Sequence, residues 1–289
     1  MFSKKKARRR WPLRMTTAEA FAPAKVNLAL HVTGQRDDGY HLLDSLVAFA
    51  DVGDHLIVEA AAETTLTIHG PFAAGLSTDD NLILDAARLM GVTAKMTLEK
   101  NLPVAAGIGG GSADAAAALK ALAKLSNRAM PDRAQQLSLG ADVPVCVQGG
   151  LLRMQGVGED IQVLANTPPS IPMILVNPRV QVSTPDVFAA LASRENAPLQ
   201  DPIPEWTEDT FLTWLSRQRN DLEAPARGVA PIIGSVLEAL AATDGAAVVR
   251  MSGSGATCFA LYPDERDAAQ ALAWLRDAHP DWWSQGSHL

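Results

Sequence analysis

Four glycines fall within five positions of this chain, Gly107, Gly109, Gly110 and Gly111, and Ser112 follows them at the head of an alanine-rich run ending at Leu119. Glycine loses more backbone entropy on folding than any other residue, so a cluster marks a sharp turn whose N–H groups something must approach. Ser112 is a good N-cap, and the alanines beyond it are the best helix formers. A glycine-rich turn feeding a helix N-terminus attracts anions, because unpaired N–H groups and the helix dipole point at one spot. The stretch Pro103–Leu119 therefore reads as a phosphate cradle; the simpler alternative is a plain loop before a core helix.

It matches neither of two familiar cradles. A Walker A loop needs a Gly-Lys-Ser/Thr ending, and no Gly-Lys pair stands near. Gly107-Ile-Gly109-Gly-Gly-Ser112 approaches the dinucleotide fingerprint, but that motif follows a buried strand directly. Here the preceding residues, Leu98 to Val104, are polar and broken by Pro103. Three further residues could do chemistry. Lys25 and Asn27 lie one pleat apart on one face of the alternating segment Ala24–Val32, although a lysine at a strand start is ordinarily solvated. Asp142 stands between a helix end and an apolar segment, where the bland readings are a cap or a salt-bridge partner.

The elements that must position these residues follow from pattern. Ala24–Val32 alternates as a half-buried strand, and Asp38-Gly39 is a turn signal ahead of Tyr40-His41. Strands are expected at Leu42–Ala50, His55–Ala60, Thr65–His69 and Ala94–Glu99, and helices at Asp80–Met90, about Ser112–Leu125 and Pro131–Gly140. Val145-Cys146-Val147 reads as a strand, and Gly156-Val-Gly-Glu159 as the turn of a hairpin. Thr167–Pro172 is the linker signal. Beyond it come a strand at Met173–Val176 and a helix with Thr184 as N-cap and Pro185 at N1. Helices near Glu208–Arg217 and Pro231–Ala242 follow, then strands on either side of Ser252-Gly-Ser-Gly255, then a closing helix Glu265–Ala278. The opening is β-rich and consecutive, not alternating βαβ. The division expected is 1–20 as a basic arm, disordered in part, then domains 21–166 and 167–289.

Composition narrows the class. At 289 residues the chain can bury one large or two modest cores. Lys+Arg 25 against Asp+Glu 32 gives a net charge of −7, opposite in sign to most nucleic-acid binders. Its two cysteines, Cys146 and Cys258, argue against a disulfide framework or zinc site and for a reducing, cytoplasmic setting. No run is long enough to span a membrane. Lys4–Arg10 is basic but leads into Trp11-Pro12, not the apolar stretch of a signal peptide. It reads either as an arm or as residues upstream of the true start, with Met15 as initiator.

Three segments together, Ala22–Leu28, Pro103–Ala118 and Met251–Ala256, resemble the signature motifs of the GHMP small-molecule kinases. Gly34–His41, Gly140–Val145, Gly156–Glu159 and Asn220–Glu223 are similar to the branch of that family whose alcohol substrate carries cytidine diphosphate, in the non-mevalonate route to isoprenoid precursors. The likeness runs from about Ala22 to Tyr262. It implies a two-domain α/β fold of α+β type with a catalytic cleft between the domains. It implies ATP as phosphoryl donor with Mg²⁺, whose ligands stay unassigned, and Asp142 and Lys25 as the catalytic pair. Asn27, Tyr40, His41, Thr184 and Phe188 would bind substrate. Pro103, Val104, Ala105, Ala106, Gly107, Ile108, Gly109, Gly110, Gly111, Ser112, Ala113, Asn81, Gly253 and Gly255 would bind ATP.

Taken alone, Phe188 reads as core and His41 as a turn residue. Asp114 is expected to face the helix exterior or the metal. The expected partner is a small molecule carrying cytidine diphosphate, with no nucleic acid and no membrane, and the chain is expected to act as a monomer or weak homodimer. Two rival readings stand beside this one: another kinase of the same family, acting on homoserine, a mevalonate or a sugar, and a non-catalytic ligand-binding regulator on the same fold.

Overall fold

The computed structural model of the protein describes residues 16–165, 168, 170–201 and 205–289. The basic segment Lys4–Arg10 and part of the Thr167–Pro172 linker lie outside the described residues. The first half forms a six-stranded sheet from β1 (Thr17–Gln35), β2 (His41–Ala60), β3 (Thr65–His69), β4 (Ala94–Glu99), β5 (Leu152–Gly156) and β6 (Asp160–Val163). β2 is its axis. One edge pairs with β1 along the whole strand, and the other pairs with β5 through Leu43–Val47 and with β4 through His55–Ala60. Because β1 already begins at Thr17, the last residues of the 1–20 segment belong to the sheet.

Four helices cover this sheet: α1 (Leu82–Met90), α2 (Gly110–Ser126), α3 (Arg133–Leu139) and α4 (Val143–Gln148). α2 is the buried one. Its alanines and Leu119 pack on β1 and β2, where their small side chains allow helix and sheet to approach closely. Two expectations fail here. Gly109, not Ser112, occupies the N-cap of α2, at φ +62°, and Ser112 sits inside the first turn. Val145–Val147 is helical, not a strand. Its β-branched residues are overruled by Pro144 in the first turn and by the burial of Val143, Val145 and Cys146.

After Val163 the chain changes sheet. β7 (Pro172–Asn177), β8 (Val248–Met251), β9 (Cys258–Leu261) and β10 (Trp283–His288) make a second, antiparallel sheet in the order β10-β7-β9-β8. It is flanked by α5 (Thr184–Ala189), α6 (Glu208–Ser216), α7 (Glu223–Val229), α8 (Ile232–Ala241) and α9 (Glu265–Ala278). α9 does not close the fold, because β10 follows it and pairs with β7. Ser183, not Thr184, caps α5.

The two halves share a core. Val26, Leu28 and Leu46 of the first sheet cluster with Leu175, Phe259 and Phe211 of the second half. β1 is consequently buried on both faces from Ala24 to Val32, rather than half-buried.

Candidate active site

A cavity of about 390 Å³ opens between the two halves. The first half supplies Lys25 and Asn27 from β1, Leu82, the glycine loop and Asp142. The second supplies Thr184 and Phe188 from α5, with Gly253 and Ser254. Lys25 and Asp142 are 117 residues apart in sequence, yet Lys25 Nζ donates to Asp142 Oδ2 at 2.8 Å. The lysine side chain is nearly sealed, whereas that of Asp142 is 34% exposed, toward the cavity it lines. A carboxylate held by an ammonium on one oxygen and open on the other can accept a proton from an incoming hydroxyl.

The loop geometry explains the glycines. Gly107 and Gly109 have positive φ, and a Cβ on Gly107 would stand 2.4 Å from the Ser252 carbonyl. The same atom on Gly109 would meet the Lys25 side chain at 3.2 Å, and on Gly110 it would meet Lys100 Nζ at 3.2 Å. The loop thus threads between two lysines and against the Ser252–Gly255 turn.

Ser252 is the tie. Its hydroxyl donates to Gly107 O and accepts from Asn27 N, both at 3.0 Å, so β1 and both glycine loops share one oxygen. Backbone bonds reinforce the junction, from Lys25 N to Ile108 O and from Thr257 N to Ala106 O. Nothing in the residue pattern singled out Ser252 beyond its glycine neighbours.

Not every candidate from the sequence lines the cavity. Ala105, Ala106, Gly107, Gly109, Gly110, Gly111, Ser112 and Gly253 do. Ile108 and Ala113 are buried in the core, and Gly255 packs at Gly107. Pro103 is buried, whereas Val104 is partly exposed. Asn81 caps α1 by accepting from Ile83 N at 3.0 Å, and it is the next residue, Leu82, that reaches the cavity.

Asn27 Nδ2 donates to Ser45 Oγ at 2.8 Å, and Thr184 Oγ1 meets Ser254 Oγ at 2.8 Å. His41 stacks on Phe188 with centroids 4.7 Å apart, which joins the first strand pair to α5. Its Nε2 is buried without a partner. Burial, and then the charge of Arg194, lowers its pKa. Tyr40 stands beside it, 66% exposed. Asp114 does not face the helix exterior but is buried against Lys100.

The GHMP kinases N terminal domain matches residues 81–150, and the GHMP kinases C terminal domain matches residues 209–281. The chain is 56% identical over 274 residues to the 4-diphosphocytidyl-2-C-methyl-D-erythritol kinase of Cereibacter sphaeroides, covering 94% of this chain and 99% of that protein. A crystal structure of 4-(cytidine 5'-diphospho)-2C-methyl-D-erythritol kinase superposes with a TM-score of 0.78 at 34% identity, over 93% of this chain and 98% of that one. Homoserine kinase from Cytophaga hutchinsonii shares the fold, with a TM-score of 0.67 at 18% identity over 96% of each chain.

Proposed function

The chain belongs to the GHMP kinases and, within them, to the 4-diphosphocytidyl-2-C-methyl-D-erythritol kinases, and from that membership we propose how its cleft performs the reaction. The protein is an ATP-dependent kinase that phosphorylates the 2-hydroxyl of 4-diphosphocytidyl-2-C-methyl-D-erythritol in the non-mevalonate route to isoprenoid precursors. The observation that carries the chemistry is the Lys25–Asp142 pair facing the glycine loop across one cavity. The acceptor is a tertiary alcohol, a poor nucleophile, and Asp142 takes its proton as the oxygen attacks phosphorus. Lys25 holds that carboxylate in place and offsets charge on the transferring phosphoryl group. The N–H groups of the loop and of the first turn of α2 hold the triphosphate.

Tyr40 and Phe188 would wall the cytosine site and His41 would be its polar reader; of the three, Phe188 lines the cavity, and His41 is stacked on it. Asn27 and Thr184 orient the polyol. Mg²⁺ would supply charge neutralisation to the phosphates. Among the described residues no three acidic, histidine or cysteine side chains converge. No residue of the chain is assigned to the ion. A cytoplasmic setting belongs to the same proposal and is supported by two buried free thiols, Cys146 and Cys258.

Purified protein with Mg-ATP, offered a panel of alcohols, tests the reading. Phosphorylation of the cytidyl substrate alone is the expected result. Turnover of a cytosine-free alcohol, with the cytidyl compound untouched, would sink it.

A further inference from the structure

On the far side of the glycine loop from Lys25 lies a second ionic cluster with no part in the chemistry above. Lys100 Nζ, just past β4, donates to Asp54 Oδ2 and Asp114 Oδ2, each at 2.6 Å. All three side chains are nearly sealed from solvent. Asp54 Oδ1 also accepts from Asn101 N and Leu102 N, which fixes the chain entering the loop. Asp114 lies on α2, one turn from Gly110, whose Cβ position is 3.2 Å from the same ammonium. The cluster therefore touches the loop at both ends.

Its charge does not balance: two carboxylates share one ammonium. Asp114 Oδ1 is buried with no donor, a costly state for an ionised oxygen. The two carboxylates meet at the one ammonium, each 2.6 Å from Lys100 Nζ. We propose that Asp54, Lys100 and Asp114 position the nucleotide loop as a proton-sharing triad, and that binding of ATP at the loop raises the proton occupancy of the carboxylate pair by uptake from solvent. The inference rests on the reading of that loop as the ATP cradle.

The supporting energetics point one way. Burial first, and then the charge of Asp54, pushes the Asp114 carboxyl up to about 7, against the opposing pull of Lys100. Burial works against the Lys100 charge, but the two carboxylates outweigh it and raise its pKa. Charged groups on the surrounding elements are engaged elsewhere, and on α2 Lys120 Nζ donates to Cys146 O at 3.2 Å. α4 presents the Cys146 thiol, pushed up to about 12 by burial and hence neutral. On β1, Lys25 is paired with Asp142, and on α1, Asp85 is paired with Arg88. An anionic triphosphate beside the triad raises the proton affinity of Asp114, and by linkage the protonated enzyme binds nucleotide more tightly. Nucleotide affinity is thus greatest below the Asp114 pKa and falls as pH rises through it.

The test is calorimetry of a non-hydrolysable Mg-ATP analogue in two buffers of different ionisation enthalpy, on wild type and Asp114→Asn, with KM for ATP and kcat followed from about pH 6 to about pH 8.5. The wild type is expected to take up part of a proton on binding. Its KM for ATP should rise about three- to tenfold across the range, with no matching change in kcat. Asp114→Asn keeps an oxygen for Lys100 but cannot titrate. Its KM should stay at the wild-type low-pH value and its extra proton uptake should vanish. An Asp114→Asn enzyme with the wild-type pH profile overturns the proposal, and so does a wild type that binds the analogue without proton uptake beyond the nucleotide's own. Absence of analogue binding at any pH removes the ATP-cradle reading itself, and the proposal with it.

Discussion

Lys25 and Lys100 stand on opposite sides of one glycine loop, each against a carboxylate from a distant part of the chain, at 2.8 Å and 2.6 Å. By distance alone they are the same interaction. They differ in what surrounds the acid. Asp142 is a third exposed into the cleft, so its free oxygen can meet a substrate. Asp54 and Asp114 are sealed, so theirs meet only backbone amides or nothing. An open ion pair is worth little to stability and can work on a substrate, whereas a closed one holds structure and is costly to break.

Asp142→Asn should divide the two most sharply. The carboxamide cannot take the acceptor's proton, so turnover falls by about 10²–10⁴, while thermal stability and nucleotide binding stay near wild type. A mutant that keeps wild-type turnover would end the base assignment. Lys100→Met gives the converse. It leaves two buried carboxylates without a cation and should cost about 3–5 kcal/mol of stability, read by denaturant unfolding. Loss of less than about 1 kcal/mol would make the two clusters equivalent and the distinction empty.

Gly109→Ala tests the loop between them. At φ +62° an alanine costs about 1–2 kcal/mol, and its methyl also presses on Lys25. The expected result is a KM for ATP raised about five- to thirtyfold. A strained but catalytically intact loop would show instead as lost stability with KM unchanged.

Half of this comparison is legible in the residue pattern. The alternation of β1 puts Lys25 and Asn27 on one face, and four clustered glycines announce the loop whatever surrounds it. Asn81 ahead of an apolar stripe marks α1, and the acidic start of α9 marks that helix. The sealed cluster leaves no such mark, because Asp54 and Lys100 are 46 positions apart and each looks like an ordinary surface charge until the fold buries it. α4 fails for a related reason. Val143-Pro-Val-Cys-Val147 has strand propensity, and Pro144 in the first turn together with packing beneath α2 makes it helical. β10 is short and polar, with Gln285 and Gly286 in its middle, and gains its identity from pairing with β7. Ser112 loses the cap to Gly109 because the chain turns three residues earlier, at a positive φ beside the Lys25 side chain.

The acceptor site proposed at His41 and Phe188 extends the contrast at the smallest scale. The His41–Phe188 stack bridges the two halves of the molecule, and an aromatic contact of this kind is worth about 0.5–1.5 kcal/mol. Phe188→Ala should therefore raise KM for the cytidyl substrate about two- to tenfold and leave KM for ATP unchanged. Equal effects on both substrates would mean that Phe188 shapes the cleft as a whole rather than the cytosine end. The pH dependence gives a second arm. His41 has a lowered pKa, from burial and then Arg194, so it is neutral at neutral pH. Acid charges the ring against both influences, and since its folded-state pKa is depressed, the stack weakens as pH falls below the ordinary imidazole range. Acid should thus raise KM for the acceptor while alkali raises KM for the donor. A single pH profile shared by the two substrates would refute independent titration at the two ends of the cleft.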